Sequence, residues 1–240
     1  MESENALALD YFKENQISFE WIVDEGGAVI RFAPIDIDKQ QYASVHGENE
    51  NISDVQTTAN VIISNTQKKN GKDDFWPRAE ENLLKAFLFY FLENLSDKNT
   101  LTNVYHYVAN GDIGEIDNIF KKLPQDNPAR MSYNIFASGS DTIKASVITG
   151  LGTRLQAFQS EDLQKLTNES DIDLTLPGKK PCIYYVITSD VDSSNDFLTS
   201  LFFTFLFIKL VRYADSTATG KCENEVFAFL DEFANIRTNS

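Results

Sequence analysis

Two apolar runs of strand length near the C-terminus, separated by a long apolar helix, constrain this chain more than anything else in it. Residues 182–188 (CIYYVIT) are continuous and rich in β-branched and aromatic side chains, and residues 225–231 (EVFAFLD) form a second such run. Between them, Asp196 to about Ala214 reads as one long helix. Strand, helix and strand in that order predict a βαβ unit, with parallel strands buried on both faces. The second run ends in adjacent carboxylates, Asp231 and Glu232. At the carboxyl edge of a parallel sheet, the first acid of such a Walker B pair can hold Mg²⁺ through water. The second can polarise an attacking water. No G-x-x-x-x-G-K-[ST] phosphate loop occurs anywhere in the 240 residues.

Upstream of this unit the periodicity is helical. Ser53-Asp54 predicts the cap of a helix running to Asn65, with Val55, Ala59, Ile62 and Ile63 on its inner side. Phe75-Trp76-Pro77 opens a second helix, whose apolar face comprises Leu83, Leu84, Phe87, Leu88, Phe91 and Leu92. Further helices are predicted over 100–109, over 112–122, and from about Ser140 to Phe158, with a break at Asn127-Pro128. Near the N-terminus, residues 5–15 read as a short helix, and residues 17–23 and 28–35 as a hairpin turning at Asp24-Glu25-Gly26-Gly27. The predicted organisation is an N-terminal α+β segment (1–45), an all-α block (53–165) and a partial α/β core (174–240) ending at the carboxylate pair.

Composition narrows the function classes. With a formal net charge of −15, a broad nucleic-acid surface is not expected; DNA is expected only through a larger assembly. Cys182 and Cys222 lie 40 residues apart without metal-ligand spacing and read as reduced, structural thiols. His46 and His106 have no ligand partners at suitable spacing, and no G-x-S-x-G elbow is present. Residues 197–210 (FLTSLFFTFLFIKL) are too short and too often interrupted to span a bilayer, and read as a helix buried against the sheet.

Four segments together resemble the type IV secretion coupling protein family, the TraG/VirD-type conjugative DNA-transfer ATPases. They are FLDEFANI (229–236), DDFWPRAEENLLKAFLFYFLEN (73–94), residues 138–174 with their Ser- and Gly-punctuated helix, and KKPCIYYVITSD (179–190). The resemblance covers about residues 53–236 in the expected order and leaves residues 1–45 unplaced. It implies a membrane-anchored, hexameric, RecA-like ATPase. Such a motor recruits relaxase–DNA or effector protein substrates to a type IV secretion channel at the cytoplasmic side of the bacterial plasma membrane. Residues 53–165 would be its all-α substrate-recognition domain, inserted in a RecA-like P-loop core. By the same resemblance Asp231 would bind Mg²⁺ and ATP, and Glu232 would be catalytic. Three departures stand out: no phosphate loop, no D-P-K-G-E element and no N-terminal anchor segment. The chain is therefore expected to be a soluble fragment of such a motor, binding no ATP or Mg²⁺ and inactive alone. The competing expectation is a free-standing helical interaction module of a mobile element, with no nucleotide role.

Several single residues carry weaker expectations. Asp190 and Asp192 follow the first strand and read as ordinary loop acids. Arg78, Arg130, Lys144 and Arg154 read as members of surface salt bridges, with an arginine acting across subunits as the alternative. Phe75-Trp76 is expected to be buried as a helix-start staple, with an exposed aromatic anchor for a partner protein as the alternative. Lys68-Lys69-Asn70-Gly71-Lys72, a compact basic run, reads as a solvated loop. A partial parallel sheet would expose strand edges, which predicts either self-association through 182–188 and 225–231 or filling of the gap by the 17–35 hairpin.

Overall fold

The structure, a computed structural model, describes residues 18–19, 48–67, 75–94, 100–168, 170–186 and 195–230. These are mostly helical. The helices are α1 (Glu48–Thr66), α2 (Phe75–Asn94), α3 (Leu101–Asn110), α4 (Ile113–Lys121), α5 (Pro128–Ala137), α6 (Asp141–Arg154), α7 (Glu161–Thr167), the single turn α8 (Leu176–Lys179) and α9 (Asp196–Ser216), with a 3-10 turn at Gln156–Gln159.

Four consecutive helices begin on side-chain caps that the sequence supplies in the expected form. Thr100 accepts from the Asn103 amide of α3, and Asp112 from the Gly114 amide of α4. Asn127 accepts from the Ala129 and Arg130 amides of α5, and Ser140 from the Ile143 amide of α6. Asn127-Pro128 is thus a beginning as well as a break: the cap and the proline in the first turn launch α5, a helix missing from the sequence reading. The α1 boundary also differs. The helix starts at Glu48, so Ser53 and Asp54 lie within it rather than capping it.

The core is built around α2, which packs against α1, α5 and α6. All six apolar positions expected on its inner face are buried, and so are Ala86 and Phe89, leaving little of its middle in water. Val55, Ala59, Ile62 and Ile63 of α1 are buried as expected. On another side of the bundle Phe120 of α4 stacks on Tyr133 of α5, with ring centroids 4.3 Å apart and planes 12° from parallel.

The RecA-like parallel core expected for residues 174–240 is not seen among the described residues. The strand pairing among the described residues is a two-residue parallel contact, β1 (Ser18–Phe19) beside β2 (Cys182–Ile183), with Ser18 opposite Cys182 and Phe19 opposite Ile183. Residues 184–186 and 225–230 have no regular structure, and all of 225–230 are exposed. The physical reason lies in α9. A crossover helix nucleates a parallel sheet by covering it. Here α9 instead packs on α1 and buries Phe197, Leu198, Leu201, Phe202 and Phe205 in the same core as the upstream helices. Among the described residues no run of strands forms beneath it, and an apolar run without neighbouring strands has no ladder partners for its backbone. The rest of the 17–35 hairpin and the 5–15 helix lie outside the described residues.

Candidate functional site

The expected carboxylate pair, Asp231 and Glu232, lies just beyond the described residues, as do Asp190, Asp192, His46 and the 68–72 basic run. The chain leading to the pair is described as far as Leu230. It borders an apolar groove of about 690 Å³, floored by Phe203, Leu206, Phe207 and Leu210 of α9 and walled on its far side by residues 181–186. Glu225 is the one charged side chain among its lining residues. A triphosphate needs cationic groups or a cradle of backbone N–H groups. An apolar groove with a single carboxylate supplies neither, so this groove is not built for a triphosphate. Among them there is also no group of three or more His, Cys, Asp or Glu able to hold a metal ion.

The candidate arginines and lysines have structural partners. Arg154 is largely covered rather than on the surface, its side chain 14% exposed beside the buried Glu80. It donates from Nε to Glu80 Oε2, and from Nη1 to the Ile63 carbonyl at 3.3 Å and to Thr66 Oγ1 at 3.2 Å, tying α6 to α2 and to the end of α1. Gly150 makes this possible: a Cβ there would lie 1.9 Å from Glu80 Oε1, so only glycine leaves the carboxylate room to reach Arg154. Arg130 donates to the Leu123 carbonyl, and Lys144 lies 4.0 Å from Asp141. A second ion pair escaped the sequence reading. Arg212 of α9 grips Asp54 of α1 with both terminal nitrogens, at 3.0 and 2.8 Å. Ser200 Oγ donates to Asn65 Oδ1 at 3.0 Å between the same two helices. Nothing in the local sequence signals a contact spanning 158 residues.

By length and composition α9 is the one described helix apolar enough to cross a membrane. Its buried face and its polar ties to α1 are those of a core helix.

The helical block also carries a titratable pair. Tyr133 donates its phenol to Asp117. Burial and the neighbouring carboxylate hold the phenol well above its ordinary range, so it stays a donor throughout. Burial alone would raise the Asp117 carboxyl. Hydrogen bonds from Tyr133 and Lys121 and the nearby Lys144 more than offset that, and hold it below the usual carboxylate range. A depressed carboxylate adds stability that is fully present above its unfolded value, near pH 3.9, and is lost as pH falls through the folded value. Asp117→Asn is expected to cost about 1 kcal/mol at pH 7, discounted for partial exposure. Urea unfolding should show the gap from wild type closing at pH 3; a gap unchanged with pH would refute the assignment.

The surface differs from expectation at the start of α2. Phe75 and Trp76 form an edge-to-face pair, centroids 5.2 Å apart and planes at 82°. They are 51% and 38% exposed, not buried as a staple. Met131 and Ile135 of α5, one helical turn apart, are also exposed. No motif announced these positions; an aromatic pair before a proline reads alike whether it packs inward or faces out.

No curated protein and no solved structure shows a significant match to this chain. The profile of one family, described as Type IV secretory system Conjugative DNA transfer, matches residues 3–237. The match takes in the N-terminal segment that the motif resemblance leaves unplaced. With nearly its whole length covered, the chain belongs to the type IV secretory system conjugative DNA transfer family.

Proposed function

We propose that this chain recruits relaxase–DNA complexes or effector proteins for a type IV secretion channel, and that the helical block, residues 53–165, makes the contact. The observation that carries this reading is the exposed Phe75–Trp76 pair at the start of α2, packed edge-to-face on the surface of the helical body. Aromatic side chains held at a surface offer large contact area at small entropic cost, and dominate many protein interfaces. Family membership supports the setting.

In this proposal the assembled parent is a hexameric motor at the cytoplasmic face of the membrane. Its ATP and Mg²⁺ are served by Asp231, as a Mg²⁺ ligand through water, and by Glu232, which would orient the attacking water. This chain by itself binds neither and turns over no ATP. Two experiments test the reading. Full-length chain immobilised on a surface should retain a cognate relaxase or effector, and Phe75→Ala with Trp76→Ala should weaken that binding at least tenfold. Equal retention by wild type and the double variant would exclude the aromatic pair. In a phosphate-release assay with Mg²⁺ and ATP the chain should give only background. Turnover abolished by Glu232→Gln would reverse the proposal that it is inactive alone.

A further inference from the structure

The first turn of α2 carries the aromatic pair and has little apolar anchorage of its own. From Phe75 to Ala79 no side chain is fully buried. The first that is buried, Glu80, is a carboxylate, and the first buried apolar side chain is Leu83. Trp76 and Glu80 stand four residues apart on one helix, so they lie on the same face, one above the other. Whatever fixes the carboxylate therefore fixes the height and rotation of the turn that bears Trp76. Arg154 fixes it from α6, donating to Glu80 and also to the Ile63 carbonyl and the Thr66 hydroxyl at the end of α1. Gly150 leaves the carboxylate its seat. We infer that Glu80, Gly150 and Arg154 are positioning residues for the contact surface, holding the first turn of α2 so that Phe75 and Trp76 are presented in one pose. The inference rests on the reading above that this pair meets the cargo.

Stability alone does not call for an ion pair at this junction, since apolar residues of similar volume commonly hold a fold as well as a buried pair. What the pair adds is direction. The planar guanidinium has acceptors on both α1 and α2 and is itself carried by α6, so three helices are keyed at one point. Apolar contacts are non-directional and let a helix end rotate or slide. Phe75 and Trp76 pack against each other edge to face, so they follow the turn as a unit. Anchors whose pose is set beforehand lose less freedom on binding, and the clamp thereby raises affinity without touching the partner. The neighbouring pair Glu81–Lys85 lies along α2 itself and keys it to no other helix, which makes it the natural control.

The test uses the full chain with Trp21→Phe, which leaves Trp76 as the one tryptophan. Its fluorescence anisotropy and its quenching by acrylamide then report the pose of the pair with no cargo present. In this background Glu80→Leu with Arg154→Met should unfold in urea close to the parent. It should nevertheless lower the Trp76 anisotropy, raise the quenching, and weaken retention of the relaxase or effector that the wild-type chain retains. The loss in retention should be roughly fivefold or more, since each side chain that must be ordered on binding costs a few-fold in affinity. Arg154→Lys keeps the charge but not the planar fork. It should move the same readouts in the same direction by less, with circular dichroism unchanged. Lys85→Met should move none of them. Trp76 fluorescence and retention both unchanged in the Leu/Met variant would make the clamp a stability element only and overturn the inference. If that variant does not fold, an Arg154→Lys chain with unchanged fluorescence overturns it instead. A fluorescence shift with undiminished retention, where Phe75→Ala with Trp76→Ala does diminish it, overturns it while leaving the cargo reading intact. Retention indifferent to the two aromatic truncations refutes the cargo reading, and a fluorescence shift would then still establish the hold of the clamp on the pair.

Discussion

Arg154→Ala is expected to cost about 3–5 kcal/mol of folding stability, the range for breaking a buried ion pair by removing one partner. The guanidinium joins α6 to α2 through Glu80 and to the end of α1 through the Ile63 carbonyl and Thr66. Without it the Glu80 carboxylate is left buried beside Gly150 with its cationic partner gone. Urea unfolding followed by circular dichroism measures the loss. The double variant Glu80→Leu with Arg154→Met should recover most of it, because an apolar pair of similar size leaves no uncompensated charge. Gly150→Ala should also destabilise, by less than Arg154→Ala, since a Cβ there lies 1.9 Å from Glu80 Oε1 and displaces the carboxylate from the pair. An Arg154→Ala loss below about 1 kcal/mol would mean that the pair is solvated, against its burial here.

Leu201→Ala should cost roughly 2–5 kcal/mol, the range for truncating a fully buried leucine. The more telling result concerns where the loss is felt. Leu201 belongs to the core that also holds the buried residues of α1 and α2. Hydrogen exchange should therefore accelerate in α1 and α2 together with α9, in one cooperative transition. Acceleration confined to α9 would show that this helix is merely docked on an independent bundle. The same reasoning argues against deleting residues 174–240 to map binding, since the deletion strips core side chains from α1. Surface substitutions in the full chain avoid that confusion.

The helices were legible wherever one face alternated with another at the helical period. Val55 to Ile63 and Leu83 to Leu92 show it, and each buried position lies where the pattern puts it. The caps at Thr100, Asp112 and Ser140 follow the same local rule, although the one cap expected from the sequence, Ser53-Asp54, lies inside α1. The sheet was misread because a continuous apolar run carries no period. Residues 182–188 and 225–231 would suit buried strands, and equally suit chain lying along an apolar helix face. Which of these occurs depends on what α9 packs against, and its ties to Asp54 and Asn65 are long-range facts. The α5 helix was hidden by a proline that signals both an ending and a first turn. For the aromatic pair the sequence left burial and exposure both open, and the Glu80–Arg154 clamp was invisible, because burial is decided by neighbours far along the chain. Of the family-derived site, Asp231 and Glu232 remain a proposal resting on the FLDEFANI string and its family.

The burial of the middle of α2 has a consequence for biosynthesis. During translation α1 and α2 leave the ribosome together, yet the helices that cover the rest of α2 are encoded afterwards, α5 from Pro128 and α6 to Arg154. Until Arg154 emerges, Phe87, Phe89, Phe91 and Leu92 have no complete cover, and a nascent chain paused in the α3–α4 region presents a long apolar rod to chaperones and to other nascent chains. Slow codons placed between Asn94 and Pro128 should thus lower the soluble yield more than the same codons placed after Arg154.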